Sequence, residues 1–337
     1  MTVPDPTALA ERLGAFLSER AGAPAQVLAA APLAGGASRE TWRLDADVGG
    51  ERYALVLRMD QASSMNPDAL DRPAEFALLE RAHAAGVLAP RPRWLDAEGR
   101  ALGRPFLLMD RVEGESIGPR VVRRPELAAA RREMPAQMAE QLAHIHALDP
   151  AGLELPHPPE GTSPALHALA QARALVDALG IASPALEFGM RWLERNAPDC
   201  PAPTLVHGDF RVGNLIVGPE GLRAVIDWEF AHIGDPVEDV AWACVRDWRF
   251  GNDALRVGGV GALEPYLAAY TAASGRAVDP AALRYWEIMG NLRWAATCRS
   301  QAQRHLSGAD PSVEYASLGR RAAEMELEML ELIAGTS

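Results

Sequence analysis

Two short apolar runs that each end at a carboxylate restrict the folds open to this 337-residue chain more than any other feature. The stretch Leu205–Glu229 reads LVHGDFRVGNLIVGPEGLRAVIDWE. Its first apolar run leads into His207, Gly208 and Asp209, and Asn214 follows in the same polar turn. A second run, Leu222–Ile226, ends at Asp227. Strand-like runs joined by such a turn deliver their polar side chains at strand ends, where a scaffold commonly presents them to a ligand. Asp and Asn are frequent in turns, so an isolated HGD or DW carries no weight. All three polar positions at this spacing, between two apolar runs, carry a great deal.

The residue types suit transfer of a phosphoryl group. That chemistry needs little covalent help from protein; it needs a carboxylate to accept a hydroxyl proton and oxygen ligands to hold Mg²⁺ against nucleotide phosphates. Asp209 suits the first role. Mg²⁺ takes one or two protein oxygens beside phosphate and water, which Asn214 and Asp227 supply. Glu229, two residues past Asp227, either assists a second metal or makes a structural ion pair. Arg211, inside the turn, either faces substrate or is solvated.

The order HGDxxxxN then IDWE resembles the HxD…N and downstream Asp of protein kinases. More specifically it resembles the aminoglycoside phosphotransferase and choline kinase superfamily. Within it, HGDFRVGN, IDWEFAHIGDP and EDVAW are similar to the kinase-like domains found alone in bacteria or fused to acyl-CoA dehydrogenases. The resemblance implies a bilobal α+β, protein-kinase-like fold. Residues 1–112 are then a nucleotide-binding lobe with a small antiparallel sheet and the hinge, and residues 113–337 a mostly helical catalytic and substrate-binding lobe. It implies ATP and Mg²⁺ as cofactors and a small-molecule hydroxyl as acceptor. It also implies that His207 shapes the loop rather than acting as a base, and that Asp239, in EDVAW, anchors that loop.

Along the first lobe, Pro6–Arg20 reads as an amphipathic helix with Leu9, Leu13, Phe16 and Leu17 on one face. Gln26–Leu33, Thr41–Asp45 and Tyr53–Arg58 read as strands of a small antiparallel sheet, separated by paired glycines. In the first of these turns Gly35 and Gly36 let the backbone approach phosphates and Ser38 is placed to donate to them, although paired glycines also mean simply a hairpin turn. There is no GxGxxG at this turn and no GxxxxGK[ST] in the chain, which argues against a P-loop enzyme. Kinases carry a lysine on the third strand; the matching residue here is Arg58, permanently charged and able to grip phosphate with two donors. A helix from Pro73 to a stop at Gly86 carries Glu75 on its apolar face. By resemblance Glu75 pairs with Arg58 as the phosphate-holding clamp; the plain alternative is a Glu complementing the helix dipole. The apolar strand and polar linker of Gly103–Gly114 form the boundary, where the adenine edge of a kinase-like fold meets backbone near Asp110 and Val112.

In the second lobe the pattern predicts helices over Glu126–Leu148, His167–Leu179, Pro184–Asn196, Pro280–Leu306 and Val313–Ile333, with a proline-rich loop at Pro150–Pro164 and a helix beginning in Gly234–Trp242. His144 and His146 are two apart and point to different helix faces, which argues against a shared metal. Trp286 and Trp294 read as core, or with Arg293 as the lining of a pocket for an anionic acceptor; Arg299 is a further candidate there.

Composition bears on partners. The net charge of −12, from 33 basic and 45 acidic residues, disfavours general binding to nucleic acid or anionic membrane. Cys200, Cys244 and Cys298 are odd in number and far apart, which fits a reducing cytoplasm better than a disulfide framework or zinc site. The first residues lack a basic stretch before an apolar core, and no run of about 18 apolar residues occurs, so neither a signal peptide nor a membrane span is expected. The resemblance favours a hydroxy acid or hydroxyacyl-CoA as acceptor. An aminoglycoside or other amino alcohol is the alternative, and a nucleotide-binding pseudokinase with a regulatory role is the alternative of another class.

Overall fold

Asp5 starts the first helix, α1 (Pro6–Ala21), by accepting the Thr7 N–H on its carboxylate at 3.3 Å, and Gly22 ends it in the left-handed conformation at φ 62°. This beginning belongs to a computed structural model that describes residues 5–33, 39–60, 69–180, 182–309 and 311–335. The chain divides into two compact units: Met1–Gly114 with Ala151–Leu155 and Arg223–Phe230, and Glu115–Pro150 with Pro156–Leu222 and Ala231–Ser337.

In the first unit a five-stranded antiparallel sheet runs in the order β1 (Ala25–Pro32), β2 (Arg39–Val48), β3 (Glu51–Asp60), β5 (Phe106–Asp110), β4 (Pro92–Asp96). Four of these strands were expected, with β2 and β3 longer than the pattern suggested and β5 the apolar strand inside Gly103–Gly114; β4 was not, because its five residues PRWLD show no alternation. Gly49 and Gly50 turn β2 into β3 with φ of 62° and 87°, and positive φ at both centres matches the twist of the flanking strands. The turn carrying Gly35, Gly36 and Ser38 lies outside the described residues. Leu9, Leu13, Phe16 and Leu17 of α1 are buried in one core with Trp42, Leu44, Leu55, Leu57, Phe106 and Leu108 of the sheet. Each such side chain contributes roughly 2 kcal/mol on burial, so the helix is held by the face its periodicity announced.

Helix α2 (Arg72–Ala84) begins where Asp71 accepts the Ala74 N–H at 2.8 Å, with Pro73 in its first turn, and the chain leaves through Gly86 at φ 82°. Its inner face holds Leu78, Leu79 and Ala82 together with two charged residues, Arg72 and Glu75, at 1% and 0% exposure. Buried charges are retained only when paired, and these two are.

The second unit is mostly helical. The helix expected over Glu126–Leu148 is present as a 3-10 turn at Pro125–Leu127 and α4 (Ala128–His146), and a short helix not expected from sequence, α3 (Gly118–Arg123), precedes it. Then come α5 (Pro164–Leu179), α6 (Pro184–Arg195), strand β6 (Thr204–Val206), β7 (Leu215–Gly218), β8 (Gly221–Val225) and β9 (His232–Gly234). The chain passes from the second unit into the first within β8. Helices α7 (Pro236–Trp242), α8 (Leu263–Ser274), α9 (Pro280–Leu306) and α10 (Val313–Ala334) follow, with α9 packed along α10 and against α7. No helix among the described residues is long and apolar enough to cross a membrane.

Candidate active site

Strand β6 pairs antiparallel with β9, Val206 opposite His232, so the loop after β6 starts beside the segment that leads into α7. Asp235 caps α7 by accepting the Val237 N–H at 2.9 Å. One turn on, the fully buried Asp239 accepts the His207 N–H at 2.6 Å and the Gly208 N–H at 2.9 Å, with Gly208 at φ 77°. His146 of α4 adds a third bond, its Nε2 3.2 Å from the Asp239 carboxylate and its Nδ1 2.8 Å from the Tyr270 hydroxyl. A carboxylate only accepts, so Nε2 donates; in the neutral ring Nδ1 then accepts from Tyr270. Burial works to raise the Asp239 pKa, but the hydrogen bonds from the His146 ring and the His207 N–H outweigh it and hold the carboxyl below its ordinary value. His144 is exposed on the other side of α4.

The braced loop holds Asp209. Its N–H donates to His207 Nδ1 at 3.2 Å, so the buried His207 ring spans the turn. The Asp209 carboxylate accepts three side-chain donors: Arg211 Nε at 3.0 Å and Trp242 Nε1 at 2.7 Å on Oδ1, and Asn214 Nδ2 at 2.6 Å on Oδ2. Three donors fix its plane. Asn214 Nδ2 also donates to the Asp209 carbonyl at 2.9 Å, which commits the amide nitrogen inward. Its Oδ1 then presents a neutral hard oxygen, the donor type Mg²⁺ favours.

Aromatic rings support this carboxylate. The Arg211 guanidinium carbon lies 4.5 Å from the centre of the Trp248 ring, whose neighbours are Trp294 at 4.7 Å and Trp242 at 5.5 Å. Trp294 Nε1 donates to Asp247 at 2.6 Å, and Asp247 is ion-paired to Arg321 of α10.

In the first unit five charged groups alternate in sign. Arg58 Nη1 lies 3.1 Å from Glu75 Oε1 and its Nη2 2.5 Å from Asp227 Oδ1; Arg72 Nη1 lies 2.5 Å from Glu75 Oε2 and its Nε 2.9 Å from Asp60. Burial opposes the Arg58 charge, yet Glu75, Asp227 and Glu229 outweigh it, and its pKa stands above the ordinary arginine value. Asp227 adopts φ 69°, the left-handed region that a residue with a Cβ seldom takes. Glu229 is buried at 3% exposure, and its charge adds to the set acting on Arg58. Asp110 grips Arg93 with both oxygens, at 2.7 and 2.8 Å, so its side chain is committed. Its N–H donates to Arg91 O at 2.8 Å and the Arg111 N–H to Ala54 O at 2.9 Å, while the Val112 N–H finds no partner among the described residues.

Arg293 and Arg299 are both engaged by carboxylates, Arg293 with Glu238 at 2.6 Å and Arg299 with Glu326. Trp286 is core at 2% exposure and donates to Asp235 at 2.8 Å. Sequence reading had no signal for Trp242, Trp248 or Arg72, whose partners lie far along the chain or are themselves polar.

The model of the phosphotransferase enzyme family, APH, matches residues 29–286, more than three quarters of the chain. The chain belongs to this phosphotransferase family. Acyl-CoA dehydrogenase family member 11 of Gallus gallus is 27% identical over 333 residues, spanning 93% of this chain and 42% of that protein. Acyl-CoA dehydrogenase family member 10 of Mus musculus is 33% identical over 195 residues, 57% of this chain and 18% of that protein. This phosphotransferase therefore spans less than half the length of these relatives. A putative aminoglycoside phosphotransferase from Ralstonia eutropha shares its fold at TM-score 0.74 and 21% identity, over 96% of this chain and 97% of that one. A thermostable mutant of aminoglycoside phosphotransferase APH(4)-Ia, solved with AMP-PNP and hygromycin B, does so at 0.61 and 20%, over 96% and 99%.

Proposed function

We propose that the protein transfers the γ-phosphoryl group of ATP to a hydroxyl of a small molecule, with a hydroxy acid or hydroxyacyl-CoA as the preferred acceptor. The observation that supports this reading is the Asp209 carboxylate, fixed by Arg211, Asn214 and Trp242 on a loop braced by Asp239. A base must sit within hydrogen-bond reach of the proton it takes, in a set orientation. Asp209 orients the acceptor hydroxyl and accepts its proton as the oxygen attacks phosphorus. Asn214 Oδ1 and the Asp227 carboxylate would hold Mg²⁺, which would neutralise charge on the nucleotide phosphates. Arg58, steadied by Glu75, holds those phosphates. Gly35, Gly36 and Ser38 cover them, and the backbone of Asp110 and Val112 meets the adenine edge.

The acyl-CoA preference draws on the names of the matched relatives. The net charge of −12 favours the second reading, a polycationic aminoglycoside or another amino alcohol. A coupled ADP-release assay over hydroxy acids, hydroxyacyl-CoAs, aminoglycosides, choline and homoserine separates these. Activity on the first two classes is expected; activity on aminoglycosides alone overturns the acceptor. Asp209→Ala should keep Mg²⁺-dependent stabilisation by ATP while losing turnover. Wild-type turnover in that variant overturns the mechanism, and nucleotide binding without transfer to any acceptor points to a regulatory pseudokinase.

A further inference from the structure

Arg211 holds the Asp209 carboxylate through Nε alone, at 3.0 Å. An arginine whose only task was to neutralise that carboxylate would use two parallel bonds, the stronger arrangement. Here the fork is withheld. Neither Nη1 nor Nη2 has a carboxylate or carbonyl partner among the described residues, whereas Arg293, Arg299 and Arg321 each end on an acid. The group is nevertheless held in place: Nε is tied to Asp209, and the guanidinium lies 4.5 Å from the centre of the Trp248 ring. Trp248 rests on Trp294, which Asp247 fixes through the indole N–H. The side chain keeps 24% exposure. Gly213 leaves the room it needs, because a Cβ there would strike Nη1.

We propose that Arg211 is a second catalytic residue, its two terminal nitrogens binding an oxyanion of the reacting complex beside Asp209. The proposal rests on Asp209 being the base. Two oxyanions fit: the phosphoryl group in transfer, or an acid group on the acceptor. In the reaction the acceptor oxygen bonds to the γ-phosphorus and its proton passes to Asp209. The bond from phosphorus to the bridging oxygen breaks, and that electron pair leaves with ADP. Charge on the non-bridging phosphoryl oxygens is what a fixed guanidinium stabilises without reorganising. An acceptor carboxylate at the same fork would place its hydroxyl against the base.

The test compares Arg211→Gln, Arg211→Lys, Arg211→Gly and Asp209→Asn in the full chain. Two reactions are followed: acceptor-free hydrolysis of MgATP, and transfer to 3-hydroxybutyrate, its CoA thioester and an aminoglycoside. If the oxyanion is the phosphoryl group, Arg211→Gln lowers kcat of hydrolysis and of every transfer about 100-fold, leaves the MgATP KM near wild type, and Arg211→Gly recovers turnover with added guanidinium chloride. If it is the acceptor's acid, hydrolysis is unchanged and KM for 3-hydroxybutyrate alone rises about tenfold or more. A role confined to packing moves the melting temperature and gives no rescue, and that pattern overturns the proposal. So do wild-type rates and KM values in Arg211→Gln while Asp209→Asn is inactive. If Asp209→Asn retains transfer, the assignment of the base fails instead.

Discussion

Arg58 and Glu75 meet at 3.1 Å, and the second oxygen of the same carboxylate holds Arg72 at 2.5 Å. One buried acid thus ties β3 to the first turn of α2 and neutralises two cations. Breaking a buried ion pair typically costs about 3–5 kcal/mol; Arg58 keeps Asp227 and Arg72 keeps Asp60 when Glu75 is neutralised, which puts the loss at the lower end. Glu75→Gln should therefore lower the unfolding free energy by roughly 3 kcal/mol and raise the KM for MgATP. Urea unfolding gives the first quantity; a midpoint equal to wild type shows the charges are compensated elsewhere.

Trp242 donates its indole N–H to Asp209 at 2.7 Å. Trp242→Phe keeps a ring and removes that donor. A hydrogen bond to a charged group contributes about 1.5–3 kcal/mol. If it acts by orienting the base, kcat falls about tenfold to a hundredfold while nucleotide affinity stays as it was. Steady-state kinetics with a responsive acceptor decide this; an unchanged kcat makes Trp242 a packing residue only.

Asp227 presents its carboxylate from a left-handed backbone position and shares it with Arg58. Asp227→Asn should abolish the Mg²⁺-dependent part of the thermal stabilisation by ATP. Stabilisation follows RT ln(1 + [L]/Kd), so a titration of Mg²⁺ at fixed ATP reads the loss directly. Equal curves for variant and wild type would remove Asp227 from the metal site.

Asp239 is held below its ordinary carboxyl pKa of 3.8 by His146 and His207 against the opposing effect of burial. A carboxyl with a lowered folded pKa contributes stability in full above its unfolded value, and loses it as pH falls through the folded one. Asp239→Asn should therefore cost about 2–4 kcal/mol near neutrality. The gap to wild type should hold down to about pH 4 and close below it. Urea titrations at stepped pH check both the size and the direction; a gap that widens on acidification contradicts the assignment.

What could be read from the chain was whatever is local. Helix α9 carries its own signals, with Asp279 and Pro280 at its start, and its bounds follow from sequence. The spacing of Asp209, Asn214 and Asp227 is likewise local, and the superfamily follows from it. Partner choice is not local. Arg72 looks like any polar residue at a helix start, yet it is fully buried because Asp60 and Glu75 flank it in space. His146 and Trp242 reach Asp239 and Asp209 across 93 and 33 residues. Arg293 and Arg299 read as free cations until Glu238 and Glu326 appear beside them. Strand β4 is recruited by pairing with β5, since its own residues do not alternate.

The cation resting on the Trp248 ring gives the chain a built-in optical reporter. A guanidinium against an indole alters its excited state, so any ligand that draws Arg211 away should change the emission of one tryptophan out of eight. Occupancy next to Asp209 then becomes visible in unlabelled protein, before any acceptor has been identified.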